Sequence, residues 1–218
     1  MSRIAIVGGH GKVAQQLVPL LVDRGHLPVA LVRNEDYRAE LEEAGAEVGI
    51  LDIEADDAEA FARAFEGCDA VVFSAGGGAD GNIERKRTVD LEGSLKSADG
   101  AAGAGISRFV QVSAIGVDNP LADDVEDGWR AYVEAKRDAD AALRESGLAW
   151  TILRPGGLTD DPGTGRVSLA ASLERGEIPR ADVAAVIAVV LEDDAAIGRQ
   201  WELVGGDTPV TEAVAGAS

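Results

Sequence analysis

The sequence predicts an α/β protein: a doubly wound parallel sheet of about seven strands with helices on both faces. Three observations predict it. Short β-rich runs alternate with helix-period stretches from end to end. Most of the strand runs are continuously apolar, as parallel strands covered on both faces require. Several helical stretches stop at a glycine (Gly25, Gly45, Gly67, Gly147), the residue that most readily turns a chain out of a helix.

In chain order, the strands fall at residues 4–7, 29–33, 47–51, 70–74, 109–113, 151–154 and 201–204. The helices between them fall at 12–24, 36–44, 57–66, 83–104, 129–145 and 182–193, each with apolar residues at helical spacing. Right-handed crossovers between successive strands give the doubly wound sheet. No repeat or low-complexity stretch interrupts the alternation, so residues 1–218 read as a single domain. The Gly-, Asp- and Pro-punctuated segments 76–83, 115–128 and 157–178 read as the rim of a pocket, the last as a small C-terminal substrate-side segment.

Composition narrows the function. The chain is 46% hydrophobic and 27% charged, as a soluble globule is, which excludes wholesale disorder. Twenty basic against 39 acidic residues give a net charge of −19. Such a field repels phosphate backbones and anionic lipid, so neither nucleic acid nor a membrane surface is an expected partner. A small-molecule substrate is expected, with the chain a monomer or a homodimer. Lysine occurs only at 12, 86, 96 and 136, and Cys68 is the lone cysteine, so neither an intrachain disulfide nor a cysteine metal cluster forms. Asp123, Asp124, Glu126 and Asp127 read as a solvated loop or helix-start face rather than a metal site. The apolar stretch after Met1 is too short for a signal peptide, and the run 183–191 is less than half a membrane span. The expected compartment is the cytoplasm.

Ligands of such sheets bind at the carboxyl ends of the strands, where strand order reverses. After the first strand stands Gly8-Gly9-His10-Gly11-Lys12-Val13-Ala14, opening a helix. Gly8 permits a tight turn, Gly11 lets the backbone approach a pyrophosphate, and Ala14 is the third small position, where helix and strand pack closely. The helix N-terminus offers N–H groups and partial positive charge to a diphosphate. His10 lines the loop, with no second ligand nearby to suggest a metal. The second strand ends in Arg33 and Asn34, where an acidic residue would favour NAD; a guanidinium there accommodates the 2′-phosphate of NADP, with NAD the lesser expectation. After the third strand, Asp52 and Ile53 either frame an adenine ring or cap the following turn.

Ser113 ends the fifth strand, and Tyr132 and Lys136, four residues apart, share one face of the next helix. A free phenol titrates near ~10, and an adjacent ammonium lowers that value, which would make Tyr132 a usable proton donor or acceptor at neutral pH. Lys136 is also placed to hold nicotinamide-ribose hydroxyls. Ser113 is placed to donate to a substrate carbonyl oxygen as it turns alkoxide-like. Trp129 either lines the pocket or packs in the core.

These motifs, with Ser74-Ala75-Gly76, Leu153-Arg154-Pro155-Gly156 and the tail Gly205-Gly206-Asp207-Thr208-Pro209, make the chain resemble an atypical short-chain dehydrogenase/reductase of the small NAD(P)H-binding, NmrA-like group. It is similar in particular to short bacterial members labelled sugar epimerases or NAD(P)-dependent oxidoreductases. The resemblance implies a Rossmann fold and bound NADP(H), with further cofactor contacts at Ser74, Ala75, Gly76 and Pro155. It also implies a Ser113–Tyr132–Lys136 active site. Two departures stand out: Ala14 replaces the third glycine, and Ser74-Ala75-Gly76-Gly77-Gly78 replaces the Asn-Asn-Ala-Gly of conventional members. The activity implied is NADP(H)-dependent reduction of a small carbonyl or quinone-like compound. A non-catalytic redox sensor of NmrA type is the rival expectation, and little chain follows Gly156 to wrap the nucleotide sugar of an epimerase.

Overall fold

The computed structural model describes residues 1–78 and 82–217. The first half alternates β1 (Arg3–Val7), α1 (Lys12–Asp23), β2 (Leu27–Val32), α2 (Arg38–Glu43), β3 (Glu47–Ile50), α3 (Ala58–Ala64) and β4 (Ala70–Phe73). A continuous helical stretch follows: α4 (Ile83–Arg85), a π-helical segment over Lys86–Leu91, and α5 (Glu92–Gly103). Then come β5 (Arg108–Val112), α6 (Asp127–Glu145), β6 (Ala149–Pro155), β7 (Gly157–Thr159), β8 (Arg166–Ala170), β9 (Glu177–Pro179) and α7 (Arg180–Val190). The chain ends with β10 (Arg199–Gly205), β11 (Thr208–Pro209) and α8 (Val210–Ala217).

Nine strands form one sheet in the order β11-β8-β10-β6-β5-β4-β1-β2-β3, and β7 and β9 form a separate parallel pair. The seven expected strands are its parallel part, from β3 across to β10. The other two are additions to the expectation. Within the segment expected as rim, Arg166–Ala170 runs antiparallel to β10, and Thr208–Pro209 runs antiparallel to β8 in turn. They cover the edge that β10 would otherwise leave open, with Val167 fully buried beneath. Part of the expected rim segment 76–83 lies outside the described residues.

The continuous apolar strands have a direct cause. Ile4 and Ile6 of β1 point into a core shared with α1, α7 and α8. Ala5 and Val7 point into a second core with Phe61 and Phe65 on one side and Phe109 and Leu143 nearby. With both faces covered, most strand positions are apolar, and the buried polar ones, such as Gln111, Thr151, Arg154 and Glu202, are exceptions held by hydrogen bonds. Strand order reverses between β1 and β4, so the turn after β1 and the loop after β4 face each other at one end of the sheet. Among the described residues no helix is long and apolar enough to cross a membrane.

Helices α3 and α5 meet backbone to backbone at Gly100. A Cβ there would lie 2.6 Å from Phe61 Cβ and 3.1 Å from the Ala62 nitrogen. Gly100→Ala is therefore expected to destabilise the fold by ~1–3 kcal/mol, since two helices must part to admit a methyl group. A urea midpoint equal to or above that of the wild type would disprove this close approach.

Candidate functional site

The glycine turn is built for close contact. Gly8 takes left-handed backbone (φ +83°), and a Cβ on it would lie 2.9 Å from Ala75 Cα. Gly9 donates its N–H to Leu31 O at 2.9 Å and sits so near β2 that a Cβ would be 2.8 Å from Ala30 Cα. Gly11 donates to Gly8 O at 2.8 Å, closing the turn, and stands at the N-cap of α1 with no side chain capping the helix. The first-turn N–H groups and the positive end of α1, with no acidic residue in that turn, are thus left for a ligand.

A cavity of about 280 Å³ opens beside this turn. Gly8, Gly9, His10 and Gly11 form one wall. Arg33, Asp52 and Ile53 come from the ends of β2 and β3, and Ser74, Ala75 and Gly76 from the loop after β4. His10 stacks flat on Tyr37 (centroids 3.6 Å apart, 7° between planes), with Nε2 3.1 Å from Glu40 and 3.0 Å from Gln15. Asp52 accepts the N–H groups of Glu54 and Ala55 at 2.9 and 3.2 Å, so it caps the turn while lining the cavity. Arg33 is exposed and lies 3.7 Å from Glu54, which is also 3.6 Å from Arg85. Asn34 is not brought to either cavity wall; its side chain accepts the Asp36 N–H and caps a short 3₁₀ turn.

A larger cavity of about 760 Å³ shares Ser74, Ala75 and Gly76 with the first, and Lys12, Val13, Ser113, Tyr132, Lys136 and Pro155 line it. Lys12 pairs across its mouth with Asp160 at 2.5 Å. Trp129 lines it too, 39% exposed, its ring 5.4 Å from that of Tyr132, which settles its place at the pocket rather than in the core. Lys86 is buried in the wall, Nζ 5.6 Å from the Tyr132 ring centre, and donates to Gly78 O.

Lys136 is buried, and three oxygens surround its three N–H donors. It donates to Val112 O at 3.2 Å and Ala75 O at 3.4 Å, and it pairs with Asp90 Oδ1 at 3.1 Å. Burial acts to lower its pKa, but Asp90 and Tyr132 outweigh that, so it stays a cation. Asp90, fully buried on the π-helical segment, accepts the Gly77 N–H with its other oxygen at 2.9 Å. It thereby ties the loop after β4 to α6. Burial of Tyr132 raises the phenol pKa; Lys136 pulls it down, while Asp90 and Asp140 push it up again. The expected net lowering is thus reversed, because a phenolate in this low-dielectric wall would face two carboxylates as well as one ammonium.

Four residues beyond Lys136 on the same helical face lies Asp140, fully buried. It accepts from Gln111 at 2.7 Å, from Ser113 Oγ at 2.8 Å and from Arg154 Nε at 2.8 Å. Arg154 reaches on to Asp118 at 2.6 Å. Ser113 therefore lines the cavity but gives its only proton to a carboxylate. That charge-assisted bond is one a substrate oxygen would have to share or displace to take Ser113 as its donor. Burial raises the Asp140 carboxyl, and Arg154, Ser113 and Gln111 oppose it. Asp90, Asp140, Lys86 and Arg85 escaped sequence reasoning. Of these only Asp140 carried a readable signal, its place one turn past Lys136.

A family model described as NAD(P)H-binding matches residues 8–194. The chain is 41% identical to "Uncharacterized sugar epimerase YhfK" of Bacillus subtilis, over 97% of this chain and 98% of that one. Its fold matches the solved "Putative NAD-dependent epimerase/dehydratase from Bacillus halodurans" with a TM-score of 0.92 at 39% identity, over 99% and 100% of the two chains. It also matches ChuY, "An Anaerobillin Reductase from Escherichia coli O157:H7", with a TM-score of 0.76 at 28% identity over 94% and 98%.

Removing one partner of the Arg154–Asp140 pair isolates a buried charge. Arg154→Met is expected to lose ~3–5 kcal/mol of stability at neutral pH. Without the guanidinium the folded-state pKa of Asp140 rises further above its unfolded value, so the deficit is full above that raised pKa and shrinks as pH falls through it. Denaturant titrations at neutral and acid pH test both signs; a pH-independent deficit would contradict them.

Proposed function

This chain belongs to the NAD(P)H-binding family, and we propose that it is an NADPH-dependent reductase of a small carbonyl or quinone-like compound. One observation carries the reading: the phenol of Tyr132, within the electrostatic reach of buried Lys136, faces a cavity that joins the cradle of the glycine turn through Ser74, Ala75 and Gly76. The cradle fits a dinucleotide. Gly8 and Gly9 admit no Cβ, and α1 presents uncapped N–H groups to a diphosphate. Ile53 and Asp52 suit an adenine, and Val13 and Pro155 line the larger cavity where the nicotinamide end would lie. When bound, the cofactor supplies a hydride.

The chain supplies the proton. A phenol is protonated at neutral pH and burial raises the Tyr132 pKa further, so it acts as the acid that gives its proton to a carbonyl oxygen while the carbon is reduced. Lys136 eases the loss of that proton by lying beside the phenolate that forms. Its contact with Ala75 O, the longest of the three, is the one a ribose hydroxyl would replace. Ser113 and Asp140 hold the strand end and the helix in register. Arg33 and Arg85 stand on either side of Glu54 at the adenosine end and are suited to a 2′-phosphate, which supports NADP over NAD. The reductase named among the similar structures agrees with this reading. So does the use of the chain after Gly156, where most of the length goes into sheet strands and the helices α7 and α8 rather than a sugar-binding lobe.

Tyr132→Phe is expected to bind NADPH within about twofold of wild type while losing ~10²–10⁴ in kcat. Wild-type reduction should stay level through neutral pH and fall only as pH climbs beyond the ordinary phenol value, because the raised pKa keeps the proton in place until then. Unchanged turnover in the phenylalanine variant removes Tyr132 from the chemistry. Arg33→Ala should weaken NADPH binding about tenfold and NADH little, whereas Glu54→Gln should tighten NADPH by freeing both guanidiniums. Equal losses for the two nucleotides in Arg33→Ala would refute the 2′-phosphate assignment; fluorescence titration reads all three.

A further inference from the structure

The larger cavity is cationic in an acidic protein. The chain carries a net charge of −19 and only four lysines, yet Lys12, Lys86, Lys136, Arg175 and Arg180 all line this one space. Among the described residues, Glu126 and Asp90 are the acids on its walls. Three of the cations have carboxylate partners: Lys136 pairs with Asp90, and Lys12 and Arg180 both pair with Asp160, at 2.5 and 2.6 Å. Lys86 and Arg175 have no carboxylate within ion-pair distance among the described residues.

Lys86 is the telling one. It is 6% exposed, its ammonium has a backbone carbonyl and the Tyr132 ring face as its partners, and it borders the space where the phenol acts. A buried cation so weakly compensated raises the free energy of the empty site, and an anion entering beside it lowers that energy. The diphosphate of a dinucleotide is a poor candidate for this anion. Its cradle is the uncapped end of α1 beside the smaller cavity, which Lys86 does not line. Arg175 stands exposed at the mouth, its guanidinium 5.5 Å from the Trp129 ring, and so continues the line of positive charge outward from the phenol.

We infer that the substrate carries an anionic group, a carboxylate or a phosphate, which Lys86 holds beside Tyr132 and which Arg175 draws in at the mouth. The inference rests on the reductase reading for the word substrate; the anion site itself stands on the charges and the cavity.

The test separates the two. NADPH oxidation is followed with 4-carboxybenzaldehyde, 4-formylphenyl phosphate and the neutral methyl 4-formylbenzoate. Binding of benzoate, phenyl phosphate and neutral benzamide to the NADP-loaded protein is followed by saturation-transfer NMR. Wild type should prefer the charged aldehydes about tenfold or more in kcat/KM, mainly through KM, and bind the anions over benzamide. Whichever of carboxylate and phosphate is favoured identifies the group. Lys86→Gln should erase the preference with NADPH affinity within about twofold of wild type, Lys86→Arg should restore part of it, and Arg175→Gln should lower it less. Equal handling of charged and neutral probes, or a preference that survives Lys86→Gln, overturns the anion site whatever the turnover. Anion binding lost in Lys86→Gln, with no aldehyde reduced by wild type, upholds the site and overturns the reductase reading instead.

Discussion

The ammonium of Lys136 is the point on which the site depends. It touches the carbonyl at the end of β5, the carbonyl in the loop after β4 and a carboxylate on the π-helical segment, so four parts of the chain are set by one buried charge. A cation in that position would be costly if left alone, and Asp90 makes it tolerable. Asp90 in turn fixes the loop by accepting the Gly77 N–H, and a Cβ on Gly76 would lie only 3.2 Å from its other oxygen. The distance between the glycine cradle and Tyr132 is therefore set by an ion pair in the interior rather than by surface loops.

A second buried network, Gln111–Asp140–Ser113 with Arg154, lies directly behind the first on the same face of α6, and Arg154 reaches from it to the exposed Asp118. Apolar residues could fill this space at lower desolvation cost. The polar choice carries a geometric benefit: three hydrogen bonds to Asp140 specify how α6 sits on the ends of β5 and β6, where a greasy interface would allow sliding. The two networks divide the work. One holds the charge that serves the phenol, and the other holds the helix that carries it.

Much of this was legible in the sequence. The seven parallel strands fall within a residue or two of their expected places, because a strand buried on both faces leaves an unbroken apolar run. The glycine turn is legible because only glycine fits where Gly8 and Gly9 run against the loop after β4 and against β2. The edge strands β8 and β11 were not, since Arg166–Ala170 follows a glycine-rich turn and carries polar residues at 166 and 168, and its pairing depends on β10, more than thirty residues away. The direction of the Tyr132 shift and the occupation of the Ser113 proton were hidden for a related reason. Both depend on Asp90 and Asp140, whose burial beside these groups is a product of tertiary packing and has no local sign.

The π-helical turn has a consequence of its own. Arg85 and Val89 face the smaller cavity, whereas their immediate neighbours Lys86 and Asp90 face the larger one. Along the widened turn, residues four apart share one cavity wall and their neighbours the other, so a single helix partitions its residues between two rooms. Deleting one residue there would restore ordinary α-helix while the flanking helices keep their places, so only the residues of the turn itself would be redealt between the two walls. Chains sharing this frame thus have a short evolutionary route to new ligands: the lining of both rooms can change at one turn while the sheet stays as it is.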